Sequence, residues 1–91
     1  MENYSGFKKI EINEAKVGDV VEWESVHSHK IMFYRIGYLD DIQLWGPREN
    51  CETVQKAFKQ PLVQVSNLDI GDECIKNIWR KVSSLKEFLH S

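Results

Sequence analysis

Glycine is scarce and scattered in this chain. The five glycines stand singly at positions 6, 18, 37, 46 and 71. A loop that cradles phosphate with backbone N–H groups needs glycines clustered before a helix, so the common nucleotide-binding loops are excluded. Cysteine is limited to Cys51 and Cys74, and neither a Cys-x-x-Cys nor a His-x-x-x-His spacing occurs. Those are the spacings that build ordinary zinc sites. His27 and His29 would share a face on a strand. Only convergence with Cys51, Cys74 or His90 would make them ligands, so no metal and no cofactor is expected. Residues 1–15 hold no apolar run of signal-peptide length, and nothing approaches a membrane span. A cytoplasmic, reducing setting follows as the expectation, with both thiols free.

Positive charge is also short. The 91 residues carry 12 Lys and Arg against 14 Asp and Glu, a net charge of −2. Non-specific nucleic-acid binders carry a clear positive excess. The charge is uneven, however. Residues 1–24 hold six acids against three lysines. Lys76, Arg80, Lys81 and Lys86 stand against Glu87 near the other end. Such polarity can orient a partner.

What remains is an ordinary globular composition: 42% hydrophobic and 29% charged. The length allows one core and a stability of roughly 5–10 kcal/mol. Residues 1–6 read as a flexible lead-in and residues 7–91 as a single compact domain. Phe7–Ile12 alternates as a first strand, with Ile10 and Ile12 on one face. Val20–Trp23 is a β-branched and aromatic run, read as a second. Residues 31–45 read as a hairpin: Ile31–Leu39 out, Asp40-Asp41 as the turn, Ile42–Trp45 back. Gly46-Pro47 stops it. Cys51, Val54, Ala57 and Phe58 recur at helical spacing, predicting a short helix within 48–60. Leu62–Val65 reads as a further strand.

Ile12–Asp19 aligns without a gap on Val65–Asp72. In each, an apolar anchor tucks under a sheet and a Gly-Asp pair redirects the chain. After the second Gly-Asp, eight apolar residues from Cys74 to Leu89 fall on one helical stripe, with Asp72 placed to cap it. This predicts a C-terminal amphipathic helix over 73–89. Its rival is a short hairpin of 73–75 and 78–82 with only the tail helical. The fold class is therefore α+β. It is a small antiparallel sheet or half-open barrel of four or five strands, with one inserted helix and one terminal helix. Lys16–Trp23 resembles the opening of small barrels of the Src-homology-3 type. That likeness covers eight residues and implies a barrel, with no function attached.

No catalytic constellation is visible. Cys51 and Cys74 lie on predicted apolar stripes, away from a histidine base. Asp40-Asp41 and Asp72-Glu73 suit a turn and a helix start. The aromatics are more informative: three Trp, three Tyr and four Phe. Tyr34, Tyr38 and Trp45, near Arg35 and Arg48, are candidates for an exposed binding platform, with Trp23 as a further member. The expectation is a non-enzymatic protein-binding module, an inhibitor or adaptor, with homodimerisation open to it. Small chains of this kind resemble accessory proteins of phages and mobile elements. Two rivals stand beside it. One is a nucleic-acid-binding barrel face that stacks bases on the aromatics. The other is an aromatic-lined pocket for a small ligand such as a nucleotide signal.

Overall fold

The structure, a computed structural model, describes residue 4 and residues 6–82. Seven strands form two antiparallel sheets. The first holds β1 (Phe7–Ile10), β2 (Val20–Glu24), β3 (Ile31–Arg35) and β7 (Ile75–Lys81), in the order β1-β7-β2-β3. The second holds β4 (Tyr38–Leu39), β5 (Gln43–Gly46) and β6 (Ser66–Asp69), in the order β4-β5-β6. A single short helix, α1 (Val54–Phe58), and a 3-10 turn at Ile12–Glu14 complete the described elements. The sheets do not close into a barrel, and they carry more strands than the four or five expected.

Alternation along the first sheet gives it two apolar faces. On one, Phe7, Val20 and Phe33 pack with Val54 and Ala57 of α1. On the other, Val21, Tyr34, Ile36 and Ile78 pack with Leu44 of the second sheet, joined by Leu39 and Leu68. The first sheet is thus the middle layer between helix and second sheet. Phe33 and Arg35 share one face and Met32, Tyr34 and Ile36 the other, as alternation requires.

Five expectations need correction. Residues 31–45 are not one hairpin. β3 pairs with β2, while the hairpin proper is β4–β5, with Tyr38 opposite Trp45 and Leu39 opposite Leu44. The chain changes sheets at Ile36-Gly37, where a Cβ on Gly37 would meet the Val63 carbonyl oxygen at 2.2 Å. Only glycine lets the two backbones approach so closely. The inserted helix is shorter than expected because Cys51 bridges to Phe33 and Thr53 is the cap; its Oγ1 accepts from Lys56 N at 3.1 Å. The strand expected at 62–65 begins at Ser66 instead, and Ile12 sits in the 3-10 turn, outside β1.

The fifth correction is the largest. Residues 75–81 are neither helix nor hairpin but β7, the strand between β1 and β2. Trp23 pairs with Ile75 and Glu22 with Asn77, so Lys76 is the extra residue of a β-bulge. The bulge puts Ile75 and Ile78, three apart, on the same face. That spacing is what imitates a helix. The rest of the expected helix, residues 83–89, lies outside the described residues.

Two buried charges anchor this frame. Asp19, 4% exposed, takes a two-point contact from Arg80: Nε to Oδ1 at 3.0 Å and Nη2 to Oδ2 at 2.9 Å. Lys16 N also donates to Asp19 Oδ2 at 2.9 Å, and Arg80 Nη2 reaches the Glu14 carbonyl at 3.0 Å. Glu22, 6% exposed, accepts from Trp79 Nε1 at 2.8 Å and Asn77 Nδ2 at 3.2 Å. Trp79 in turn stacks on Tyr4, with ring centroids 4.0 Å apart.

Candidate functional site

The six residues singled out from the sequence do not form one platform. Arg35 points to the helix side. Its Nη1 donates to the Gln60 carbonyl at 2.5 Å, and its guanidinium lies 4.6 Å from the Phe58 ring centroid. It ties the end of α1 to the middle sheet, and burial lowers its pKa. Tyr34 is buried in the second core, where its hydroxyl donates to the Ser66 carbonyl. Burial raises its pKa, against the opposing pull of the hydrogen bonds at Ser66 and Gly46.

Tyr38 and Trp45 do stand together. Leu39, Leu44 and Leu68 turn inward, so the intervening row Tyr38–Trp45–Asn67 lies on the outer face of the second sheet. Tyr38 is exposed and Trp45 half-buried. The other three meet elsewhere. Trp23, Tyr34 and Arg48 line a pocket of about 140 Å³, together with Asn50, Ser66, Asn67 and Leu68. Asn67 belongs to both places and so links the outer aromatic pair to this pocket.

A larger concavity than this pocket involves none of these residues. Ile12, Ala15, Leu39 and Ile70 wall a groove of about 540 Å³, with Asn13, Asp40 and Asp41 completing its lining. Past Ile12 and Ile70 it continues into a cleft of about 350 Å³ that reaches Ile10, Ile75 and Ile78. Ile12 is 39% exposed, and Ile42, at the β4–β5 turn beside Asp41, is 67% exposed. Asp40 Oδ1 accepts from Ile42 N at 2.8 Å and Gln43 N at 2.7 Å. Those backbone donors hold its carboxyl below the usual carboxylate range. The Asp-Asp pair is thus a turn former, as the sequence suggests, and also supplies the charge at one end of an apolar groove.

Two details made this groove illegible from the sequence. Ile12 reads as a strand residue until the 3-10 turn takes it out of β1. Ile70 follows a strand whose start was misplaced. The turn type used twice, at Ile12–Asp19 and Val65–Asp72, was the available signal. Ala15 and Leu68, its matched anchors, both pack under the second core. Its matched turns close with Asp19 N to Lys16 O at 3.1 Å and Asp72 N to Asp69 O at 3.0 Å. The two turns contribute Ile12 and Ile70 to one lining.

Comparison with protein-family models, curated proteins and solved structures finds no match. The site's chemistry therefore stands on its own residues.

Among the described residues, no three of His, Cys, Asp and Glu converge as a metal site. His90 lies outside them, and His29 Nδ1 is 3.4 Å from Glu24 Oε2 on the β2–β3 loop. Cys51 and Cys74 are both free and half-buried. Burial pushes the Cys51 thiol up, with a side-chain hydrogen bond from Gln60 opposing it. Burial pushes the Cys74 thiol up too, and Asp72 adds to the shift. Both shifts work against a nucleophilic thiolate. Among the described residues, no helix is long and apolar enough to cross a membrane.

Proposed function

We propose that this protein is a non-enzymatic protein-binding module, acting in the cytoplasm as an inhibitor or adaptor. Its contact surface is the isoleucine-walled groove, and its target is an apolar partner segment that carries Lys or Arg. One observation carries this reading. The larger half of the groove combines an apolar wall with two carboxylates and no cation in its lining. Apolar concavities of this size, with a few polar groups at one end, are where proteins take up partner side chains. A basic side chain lays its aliphatic stem on Ile12 and Ile70 and its charge against Asp40 and Asp41. The same two carboxylates repel a phosphate backbone, which disfavours the nucleic-acid reading at this surface.

The test is a peptide array in which apolar pentamers carry Lys, Glu or no charge, probed with the purified protein. Capture should follow the Lys-bearing set. It should weaken about tenfold in Asp40→Asn/Asp41→Asn and in 0.5 M salt, the scale of a charge-assisted contact. Equal capture of the three sets, or capture indifferent to Ile12→Glu, overturns the reading.

A further inference from the structure

Cationic side chains gather around an open concavity of about 380 Å³. Lys16 and Asp19 line it from the turn before β2, Arg35 from β3, Phe58 from the end of α1, and Arg80 and Lys81 from the end of β7. None of its lining residues belongs to the isoleucine-walled groove. The one acid is already committed. Asp19 receives Arg80 on both oxygens and the Lys16 N–H on one. Lys16, Arg35 and Lys81 are left, and none of them has an ion-pair partner among the described residues.

Arg35 is the deciding group. Lys16 and Lys81 are exposed and water serves them, but Arg35 is half-buried. Its acceptors are two neutral carbonyls: Gly18 O, 3.4 Å from Nε, and Gln60 O, 2.5 Å from Nη1. Burial lowers its pKa, and no carboxylate opposes that shift. Proteins ordinarily pair a charge that they withdraw from water. The nitrogen left over is Nη2, which has no hydrogen-bond partner among the described residues. It lies beside Gly18, where a Cβ would stand 3.9 Å from it, and Gly18 lines the same concavity. Aromatic rings fix the neighbouring charges. The Arg35 guanidinium lies over Phe58, and Lys81 Nζ lies 5.0 Å from the centroid of Phe7. The two rings meet edge to face with centroids 5.7 Å apart.

We propose that this concavity binds a phosphate group, its oxygens accepting from Arg35 Nη2 and from the ammonium groups of Lys16 and Lys81. Each two-point edge of the guanidinium includes a nitrogen already engaged by a carbonyl, so the fork that suits a carboxylate is not whole. Three single-point donors on separate elements suit a tetrahedral group with three terminal oxygens. A phosphate monoester carries a charge of about −1.5 to −2, which three uncompensated cations accommodate and a lone carboxylate underuses. The concavity is larger than a bare phosphate and within the range of small-molecule sites. Val17, exposed in its lining, offers an apolar rest for a stem. Two sources share this chemistry: inorganic phosphate, and a phosphate ester of a small molecule. The inference does not depend on the groove.

The experiment is a ¹H–¹⁵N titration that reads the Gly18 N–H and Arg35 Nε–H signals. The probes are sodium phosphate, phenyl phosphate, adenosine monophosphate and sodium acetate, each against sodium chloride at equal ionic strength. Both signals should shift and saturate with the phosphates, while the Ile42 N–H at the groove's turn stays. Arg35→Lys would also loosen the tie to Gln60, so the test rests on the two exposed lysines. Lys16→Gln/Lys81→Gln should weaken the response by about tenfold or more, the scale of charge-assisted bonds. A tighter response to inorganic phosphate identifies the free ion as the ligand. A tighter response to either ester identifies a small organic phosphate, and equal responses show that the phosphate group alone is read. The proposal is overturned by no saturating shift in the millimolar range, by an unchanged response in the lysine variant, or by a tighter response to acetate. Asp41→Asn should leave this titration intact, so failure here and failure of the groove reading are told apart.

Discussion

Arg80→Ala removes the one side chain that, among the described residues, neutralises Asp19, and its cost can be worked from the geometry. The Asp19 side chain is 5% accessible and that of Arg80 is 26% accessible. Breaking a buried ion pair from one side costs about 3–5 kcal/mol, because the remaining charge is left without compensation. Arg80 is reachable by water, so its loss opens a path for partial rehydration of Asp19. The Lys16 backbone N–H also stays in place at 2.9 Å. The lower end, about 3 kcal/mol, is therefore the expected value. Against a total of roughly 5–10 kcal/mol this is about 30–60% of the stability. The melting temperature should fall by roughly 12–24 °C.

The assay is urea unfolding followed by tryptophan fluorescence, run as a cycle with Asp19→Asn. That variant keeps an acceptor for Lys16 N–H, and the part-exposed Arg80 guanidinium keeps the Glu14 carbonyl, so it should cost about 1–2 kcal/mol. The two losses should fall short of additivity by about 1 kcal/mol or more. A loss under about 1 kcal/mol for Arg80→Ala, or full additivity, refutes the reasoning. The clamp also bears on the groove. Arg80 Nη2 holds the Glu14 carbonyl, at the end of the 3-10 turn that presents Ile12. Amide exchange at Ala15, whose N–H donates to the Ile12 carbonyl, should therefore quicken in Arg80→Ala.

Gly37→Ala should cost about 2 kcal/mol or more by urea unfolding, because its Cβ would meet Val63 backbone atoms at 2.2–2.9 Å and backbone on neither side can yield cheaply. Trp79→Phe should cost about 2 kcal/mol in the same assay, since Glu22 keeps only Asn77 as donor. Tyr34→Phe tests alkaline stability. Burial raises the folded-state pKa of Tyr34 above 10.0, so its contribution is whole below pH 10. Above pH 10 the unfolded phenol ionises first, and the contribution is lost as pH rises through the folded value. The wild type should lose stability over that range by an amount absent from Tyr34→Phe; identical alkaline limbs would exclude the effect.

The parts of the fold legible in the sequence are those where one period dominates. Val20–Trp23 and Ile31–Arg35 are β-branched and aromatic, and both are strands. Val54, Ala57 and Phe58 keep helical spacing, and a helix forms on them. The candidate site was legible in pieces. Tyr38 and Trp45 share an outer row because hairpin register can be counted from a turn. The separation of Tyr34 from Tyr38 could not be counted, because it depends on Gly37 passing under Val63, 26 positions away in sequence. A single glycine inside an apolar run marks either a weak strand or a close approach, and sequence spacing does not distinguish them.

The misreading of residues 75–81 has a sharper cause. Ile75, Ile78 and Trp79 lie at helical spacing, and Asp72 precedes them as a cap. In the structure Asp72 Oδ1 accepts from Cys74 N at 2.8 Å, the bond expected of a cap, yet it closes a turn into a strand. What turns the segment to β structure is its position between two strands. β1 and β2 present unpaired backbone on either side, and β7 satisfies both. The bulge at Lys76 then reconciles a three-residue spacing with a two-residue pleat, so the same apolar residues fill the core in the other conformation. Propensity yields because four pairs of ladder on each of two sides outweigh a helix with one face to bury. The polar residues of the segment follow the strand reading. Asn77 and Trp79 fall on one face and both donate to Glu22, while Arg80 falls on the other and reaches Asp19. On a helix, Asn77 and Trp79 would lie about 200° apart and could not converge on one carboxylate. The buried acids in β2 and before it, read together with those donors, were the sequence-level evidence that this stretch is a strand.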